Sequence, residues 1–504
     1  MKLSKFIAAG LLAAGLATAS SNAQVKIYIS GAPAFRQIGT TAIINVLQAN
    51  GGTVTTAYTG GNIITASQVN WYGGNIGGTP VTIKINYNGS ASGIQAVAAQ
   101  QQVAYLADSA SGANVSASLL TDNEVPDITL ADEWQSSTPW VGTNGAADQL
   151  NGGNGTNGDG SSTFASLVDD IVGVLPYKFV ASPGAPFTNI TPNLAYQLYT
   201  SGSVPLSQFT GNPSDSTHFV FPLGRDIGSG ARTITLSETG VGTTTSIHQW
   251  TPTVSLGAGK GVVGIAVYTT GSNYTAPTIT FSGGGGSGVA ATVLTGSAAN
   301  AGKIVGYTIT NSGSGYTSAP SYTIHDSTGT GASATVILAG GNIGSQVPAA
   351  GGVQYNVTIP TGDGGYSSFG NLLTAVTATG TGSYAGDYWV AGVAYSDAKV
   401  ALAAGAQELT WNGVSLGTVG IDTLGAGTGP DGTSSANLSN GRYSFWSYIR
   451  FNYLSTLQTS KPAAYSFEQA LKTQTKTYDA EVHLKDLNVK RGTDGGVIVP
   501  GQQL

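Results

Sequence analysis

VKIYISGAPAFRQIGTTAIINVLQANGG, Val25 to Gly52, is the stretch on which the fold turns. Val25, Ile27 and Ile29 alternate onto one face, the period of a strand. Ser30-Gly-Ala-Pro-Ala34 is turn chemistry. Phe35, Ile38, Ala42, Ile43, Val46 and Leu47 then recur at helical spacing, and Asn50-Gly51-Gly52 ends the helix. The unit repeats. Val81, Ile83 and Ile85 alternate, Asn86-Tyr-Asn-Gly-Ser-Ala-Ser-Gly93 turns, and Ile94 to Gln101 reads as a helix. Pro126-Asp-Ile-Thr-Leu130 is a short apolar strand running into Ala131-Asp132-Glu133, and Phe219-Val-Phe221 leads into GRDIGSGART, Gly224 to Thr233. Strands alternating with helices predict an α/β fold with a largely parallel sheet. In such sheets ligands sit beyond the carboxyl ends of the strands. All four loops there carry Ser, Asp, Arg or Gly.

The chain has 504 residues, 74 of them Gly, with no Cys and only 9% charged. Its length suggests two or three domains with real cores. A net charge of −6 offers no basic footprint for nucleic acid. The absence of Cys excludes disulfides, thiol catalysis, Cys-based metal sites and a lipid-attachment cysteine. At the start, Lys2 and Lys5 precede an apolar run from Phe6 to Leu16, and Ser21-Asn22-Ala23 places small residues before a cleavage point. Residues 1–23 are therefore expected to be a secretory signal, since the run is too short to span a bilayer. The expectation is a periplasmic or secreted protein without a membrane anchor.

The character changes over 257–345. Val262 to Pro277 is echoed by Ile304 to Pro320, with Tyr274 and Tyr316 spaced 42 residues apart. Each copy runs on into a Gly-rich turn and a Val/Thr strand, so this is read as a small all-β repeat module inserted into the α/β pattern. An insertion needs its two ends close together on the host surface. The Gly/Asn loop Asn151–Gly160 has alternating side-chain oxygens but no closing glutamate, and is read as a surface loop rather than a calcium site.

GRDIGSGART combines the parts of an anion cradle. Glycines leave backbone N–H groups open, and a helix starting at Ser229 would aim its dipole at the same spot. Arginine adds a planar fork that grips two oxygens of an oxyanion. The bland alternative is a glycine turn with a surface arginine, and Thr233 and Thr235 are poor helix formers.

The order of these pieces resembles the type 2 periplasmic binding proteins, in particular their phosphate-binding, PstS-like branch. Ser30–Phe35, Asn86–Gly93, Asp127–Asp132 and Arg225–Arg232 carry the resemblance, with Gly365–Ser368 and Trp389–Tyr395 behind them. It covers roughly 24–250 and 350–460. It implies two α/β lobes on a hinge, closing around a small oxyanion, phosphate first. Closure would present a surface to an ABC transporter permease. Carried over, Phe35 would offer a backbone N–H and Ser92 a hydroxyl. Asp132 would accept a proton from the ligand, Arg225 would pair with the oxyanion, and Ser229 with Gly230 would cap it. An ionised aspartate only accepts hydrogen bonds, so it would favour phosphate, which keeps a proton, over sulfate, which has none to give. Two threonines of the family pattern are Ala34 and Ala231 here, and the cradle acid stands at Asp226, with Ile227 in its place.

The expected organisation is lobe 1 from 24–173 and 396–504, lobe 2 from 174–256 and 346–395, and the β module at 257–345. Val174–Val180 and Tyr388–Tyr395 are the hinge candidates. Four scattered histidines show no metal spacing, and Gly296–Lys303 has the wrong spacing for a phosphate loop. No Gly-x-Ser-x-Gly elbow carries a triad. The adjacent acids Asp169-Asp170 and Asp132-Glu133 would point apart on strands and so do not make a glycosidase dyad. The tryptophans Trp134, Trp140, Trp250, Trp389, Trp411 and Trp446 read as core rather than sugar platforms. The function expected is solute capture without catalysis or cofactor. The rival is a structural or adhesive exoprotein that uses its β module against a surface or polysaccharide.

Overall fold

A single strand, Leu167–Ala181, organises the molecule. Residues 167–176 pair antiparallel with Trp446–Leu454, whereas 177–181 pair antiparallel with Tyr388–Ala394. The strand changes partners between Pro176 and Tyr177, and each half belongs to a different lobe of one twelve-stranded sheet. The structure is a computed structural model. It describes residues 24–51, 53–139, 165–255, 260–296, 301–338, 340–354, 357–416, 434–479 and 482–502. The signal segment 1–23, Trp140 and the loop Asn151–Gly160 lie outside these residues.

In the first lobe, Val25–Gly31 lies parallel to Thr79–Asn86 on one side and to Ile128–Ala131 on the other. Gln68–Ile76 and then Thr55–Tyr58 extend the sheet antiparallel. Ile27, Ile29, Ile83 and Ile85 are buried, matching their alternation in sequence. The helices Arg36–Ala49 and Ser90–Ala98 follow two parallel strands and bury the apolar stripe read from Ile38, Ala42, Ile43, Val46 and Leu47. Each thereby starts beyond a strand's carboxyl end, on the side where a ligand would approach.

In the second lobe, Phe219–Leu223 lies parallel to Tyr388–Ala394, which in turn pairs with the long strand. The helix Gly230–Glu238 begins after Phe219–Leu223, with Ser229 as its N-cap residue. Two expectations change here. Tyr388–Tyr395 is not a crossing: its strand is buried inside the second lobe between Phe219–Leu223 and the long strand, and an apolar run is what burial on both faces requires. The boundary drawn at 395/396 also moves. The helix Tyr395–Ala403 and the strand Gln407–Trp411 stay with the second lobe, the latter paired with 179–181 of the long strand. The chain reaches the first lobe again at Trp446–Leu454, where the Phe445 carbonyl accepts the Tyr177 N–H at 2.9 Å. Both passages between lobes therefore meet at Tyr177.

The strands between 262 and 338 pair only with one another: Val262–Ser272 with Thr330–Leu338, Thr278–Ser282 with Ser321–His325, and Ser287–Thr295 with Ile304–Ser314. The pairing exchanges the two repeats about a local two-fold. The Tyr274 hydroxyl accepts the Ala332 N–H (3.1 Å), and that of Tyr316 accepts the Val289 N–H (3.4 Å). Each tyrosine thus anchors in the opposite repeat, which explains why both copies retain it. Just outside the unit, Thr253–Ser255 pairs with Asn342–Ser345, so its ends lie side by side. Among the described residues, no helix is long and apolar enough to cross a membrane.

Candidate functional site

The N-termini of Ser90–Ala98 from the first lobe and Gly230–Glu238 from the second meet across the cleft. The Ser92 N–H donates to the Gly228 carbonyl at 3.2 Å. This close approach requires glycine at position 89. Its φ is +130°, and a side-chain Cβ would lie 2.4 Å from the Gly228 oxygen.

Asp132, just past the end of Ile128–Ala131, lies at this junction. Its N–H donates to Ser90 Oγ (2.9 Å), and its Oδ2 accepts the Tyr177 hydroxyl (2.6 Å). Its Oδ1 is buried and has no hydrogen-bond partner among the described residues. The same Oδ1 would stand 1.7 Å from a Cβ at position 230, so only glycine fits the first turn of the cradle helix. Burial raises the Asp132 carboxyl above its ordinary range, while Ser90, Tyr177 and the Arg225 charge oppose the rise. The neighbouring Glu133 is raised well above its ordinary value by burial and by the charges of Asp132 and Asp494.

Arg225 is buried and held by the segment that follows the β unit. Its Nε donates to the Tyr366 carbonyl (2.9 Å) and its Nη2 to that of Ser367 (3.0 Å). Burial lowers its pKa, against the charges of Asp226, Asp397 and Asp132. The second arginine of the stretch, Arg232, forms a 2.5 Å ion pair with Asp363. Both arginines of GRDIGSGART are thus tied to 363–367, one to the backbone and one to a carboxylate. Ser229 caps the helix by position alone, since its hydroxyl makes no capping bond.

Five of the six expected residues, Ser92, Asp132, Arg225, Ser229 and Gly230, gather at this junction. Phe35 does not serve as expected. Pro33 opens a short 3₁₀ turn in which the Phe35 N–H donates to the Ala32 carbonyl at 2.9 Å, and its ring is buried. Sequence reasoning missed Ser90, Tyr177 and Asp363. Ser90 was within reach, as it stands two residues before Ser92 in the same turn. Tyr177 and Asp363 come from distant strands and loops, with no local signal. Among the described residues, no cluster of His, Asp and Glu could hold a metal ion.

No protein-family model matches the chain, and no curated protein matches it. Among solved structures, it is similar to an ABC-type phosphate transport receptor from Vibrio cholerae, at 10% identity and a TM-score of 0.37, over 88% of this chain and 93% of that one. It is also similar to PstS from Borrelia burgdorferi, at 8% identity and a TM-score of 0.33, over 89% of this chain and 92% of that one.

Proposed function

We propose that this is an exported solute-binding protein that closes two lobes around a small oxyanion able to donate a hydrogen bond, phosphate foremost, and offers it to a membrane transporter. The observation that carries the reading is the unpaired, buried Oδ1 of Asp132 at the N-terminus of the helix Gly230–Glu238. A buried acceptor without a donor is costly, and a ligand that brings a proton relieves the cost. The helix terminus and the guanidinium of Arg225 favour negative charge in the same place. An anion that still carries a proton meets both demands. Phosphate does so near neutral pH and sulfate does not. The arrangement calls for grip and discrimination, not for bond-making.

Calorimetric titration with phosphate and then sulfate tests the reading, beside Arg225→Ala and Asp132→Asn. Phosphate is expected to bind and sulfate not to. Arg225→Ala should lose phosphate binding. Asp132→Asn, which can donate, should narrow the difference between the two anions. No heat from phosphate and no rise in Tm would defeat the proposal.

A further inference from the structure

Arg225 and Arg232, the two arginines of GRDIGSGART, both line a cavity of about 10 Å³ inside the second lobe, together with Tyr199, Thr235 and Gln249. All five side chains are buried. Nη2 of Arg232 donates to Oδ1 of Asp363 at 2.5 Å. Nε and Nη1 of the same guanidinium are buried and have no hydrogen-bond partner among the described residues. A buried charged donor left without an acceptor is costly, so these N–H groups call for an acceptor in the space that Arg232 borders.

The other walls carry oxygens whose hydrogens are already committed. The Tyr199 hydroxyl donates to the Leu223 carbonyl at 3.2 Å, and the Thr235 hydroxyl to the Ala231 carbonyl at 2.7 Å. Gln249 donates through Nε2 to the Gly364 carbonyl, which leaves Oε1 as an acceptor. Two glycines on the cavity wall place these oxygens. A Cβ at position 224 would stand 1.5 Å from Gln249 Oε1, and one at position 392 would stand 2.4 Å from Thr235 Oγ1. The cavity is thus bordered by donors in want of an acceptor and by acceptors with lone pairs to spare.

We propose that this cavity is a binding site for a single water molecule, which accepts a hydrogen bond from Arg232 and donates to the wall oxygens of Gln249 and Tyr199. Size and chemistry both select water. One water needs roughly 10–15 Å³, so a phosphate is far too large to enter. A monatomic anion would satisfy Arg232 but would meet lone pairs on Tyr199, Thr235 and Gln249. A cation would meet two guanidinium groups. Water both accepts and donates, and a buried water is retained when it has two to four such partners. The two arginines of the stretch then have separate duties. Arg225 belongs to the junction with Asp132, and Arg232 holds a water that ties the helix Gly230–Glu238 to Tyr199 on the helix Pro192–Ser201 and to Gln249. The inference does not depend on the oxyanion reading.

The test is a high-resolution crystal structure of the native chain, with a second crystal soaked in bromide and a third of Arg232→Met. The native chain is expected to show one density peak in the cavity, about 2.7–3.2 Å from Nε or Nη1 of Arg232. The bromide crystal should give no anomalous signal there. Arg232→Met keeps an unbranched side chain but removes the donors, and the peak should be lost. A bromide peak in the cavity would put an anion in place of the water and overturn the proposal. A native cavity without a peak also overturns it, as does a peak that survives in Arg232→Met. If that variant does not fold, the native and bromide crystals decide the matter alone.

Discussion

Tyr177 donates its hydroxyl to Oδ2 of Asp132 at 2.6 Å, which joins the point where the long strand changes lobes to the acceptor at the candidate site. The same residue is fixed along its backbone. Its N–H reaches the Phe445 carbonyl at 2.9 Å, and its own carbonyl accepts the Tyr443 hydroxyl at 2.5 Å. Burial and the Asp132 charge push the phenol well above its ordinary pKa, so it stays a donor at any physiological pH. With Oδ2 occupied by Tyr177, Oδ1 is the oxygen that the proposed function leaves for a ligand. On that proposal, one hydrogen bond links the passage between lobes to the ligand-facing acceptor.

Tyr177→Phe removes that donor and leaves a second buried carboxylate oxygen unpaired. Stability should fall by about 1–3 kcal/mol, read from urea unfolding. Phosphate affinity should fall as well, because Asp132 loses its orientation and takes up a proton more readily. A variant as stable as the native chain, with unchanged affinity, would remove Tyr177 from the site.

Gly230→Ala should separate the lobes. The added methyl would meet Oδ1 of Asp132 at 1.7 Å, and a fully buried carboxylate has no free direction in which to retreat. The expected outcome is a larger radius of gyration by solution scattering and lost phosphate binding, with the secondary structure kept. Gly344→Ala is the control. Nothing lies within 4 Å of a Cβ there, so it should behave as the native chain.

Glu468 sets a pH dependence. It is fully buried on the helix Pro462–Gln474, and its Oε1 has no hydrogen-bond partner among the described residues. Burial and the charge of Asp170 push its carboxyl up to about 8, with Lys472 opposing. The sign follows from linkage: a raised acid costs nothing below its unfolded value. As pH climbs toward 8 the unfolded chain releases the proton first, so stability declines over that window. Glu468→Gln should match the native chain near pH 4.5 and exceed it at pH 8 by roughly 2–4 kcal/mol. Parallel stability–pH curves for the two would refute this.

What the sequence revealed and what it hid divide along chain distance. The strand, turn and helix of Val25–Gly52 were legible because alternation, a turn cluster and a helical stripe follow one another within 28 residues. The helix after Ser229 was legible from its cap, although Thr233 and Thr235 oppose it locally. Thr235 hydrogen-bonds back to the Ala231 carbonyl at 2.7 Å, which absorbs its hydroxyl within the helix. The apolar run Tyr388–Tyr395 misled, because such a run reports burial on two faces and says nothing of which lobe provides them. Phe35 misled because the role given to it ignored Pro33, which closes a turn over the very N–H it was to offer. Tyr177, Asp363 and the bracing of Arg225 by 366–367 depend on pairings more than 40 residues apart in sequence, which no local pattern encodes.

The last segment, 482–502, was assigned to lobe 1 but lies beyond the part of the chain that the resemblance covers, and it makes contacts with both lobes. Arg491 Nη1 donates to Glu238 Oε2 at 3.1 Å, at the far end of the cradle helix, and its guanidinium lies 4.2 Å over the Trp446 ring. Three residues on, Asp494 Oδ2 accepts the Trp134 N–H at 2.8 Å, beside Glu133 in the first lobe. Arg491→Ala would leave Glu238 buried without its counterion, at a cost of about 3–5 kcal/mol in urea unfolding at pH 8. Burial already raises the Glu238 carboxyl, and Arg491 holds it back. In the variant it should rise further and take a proton, so the deficit at pH 5 should be smaller than at pH 8. Glu238→Gln in the same background should then remove the pH dependence of the deficit. A loss under about 1 kcal/mol that does not change with pH would mean that the segment only rests on the lobes.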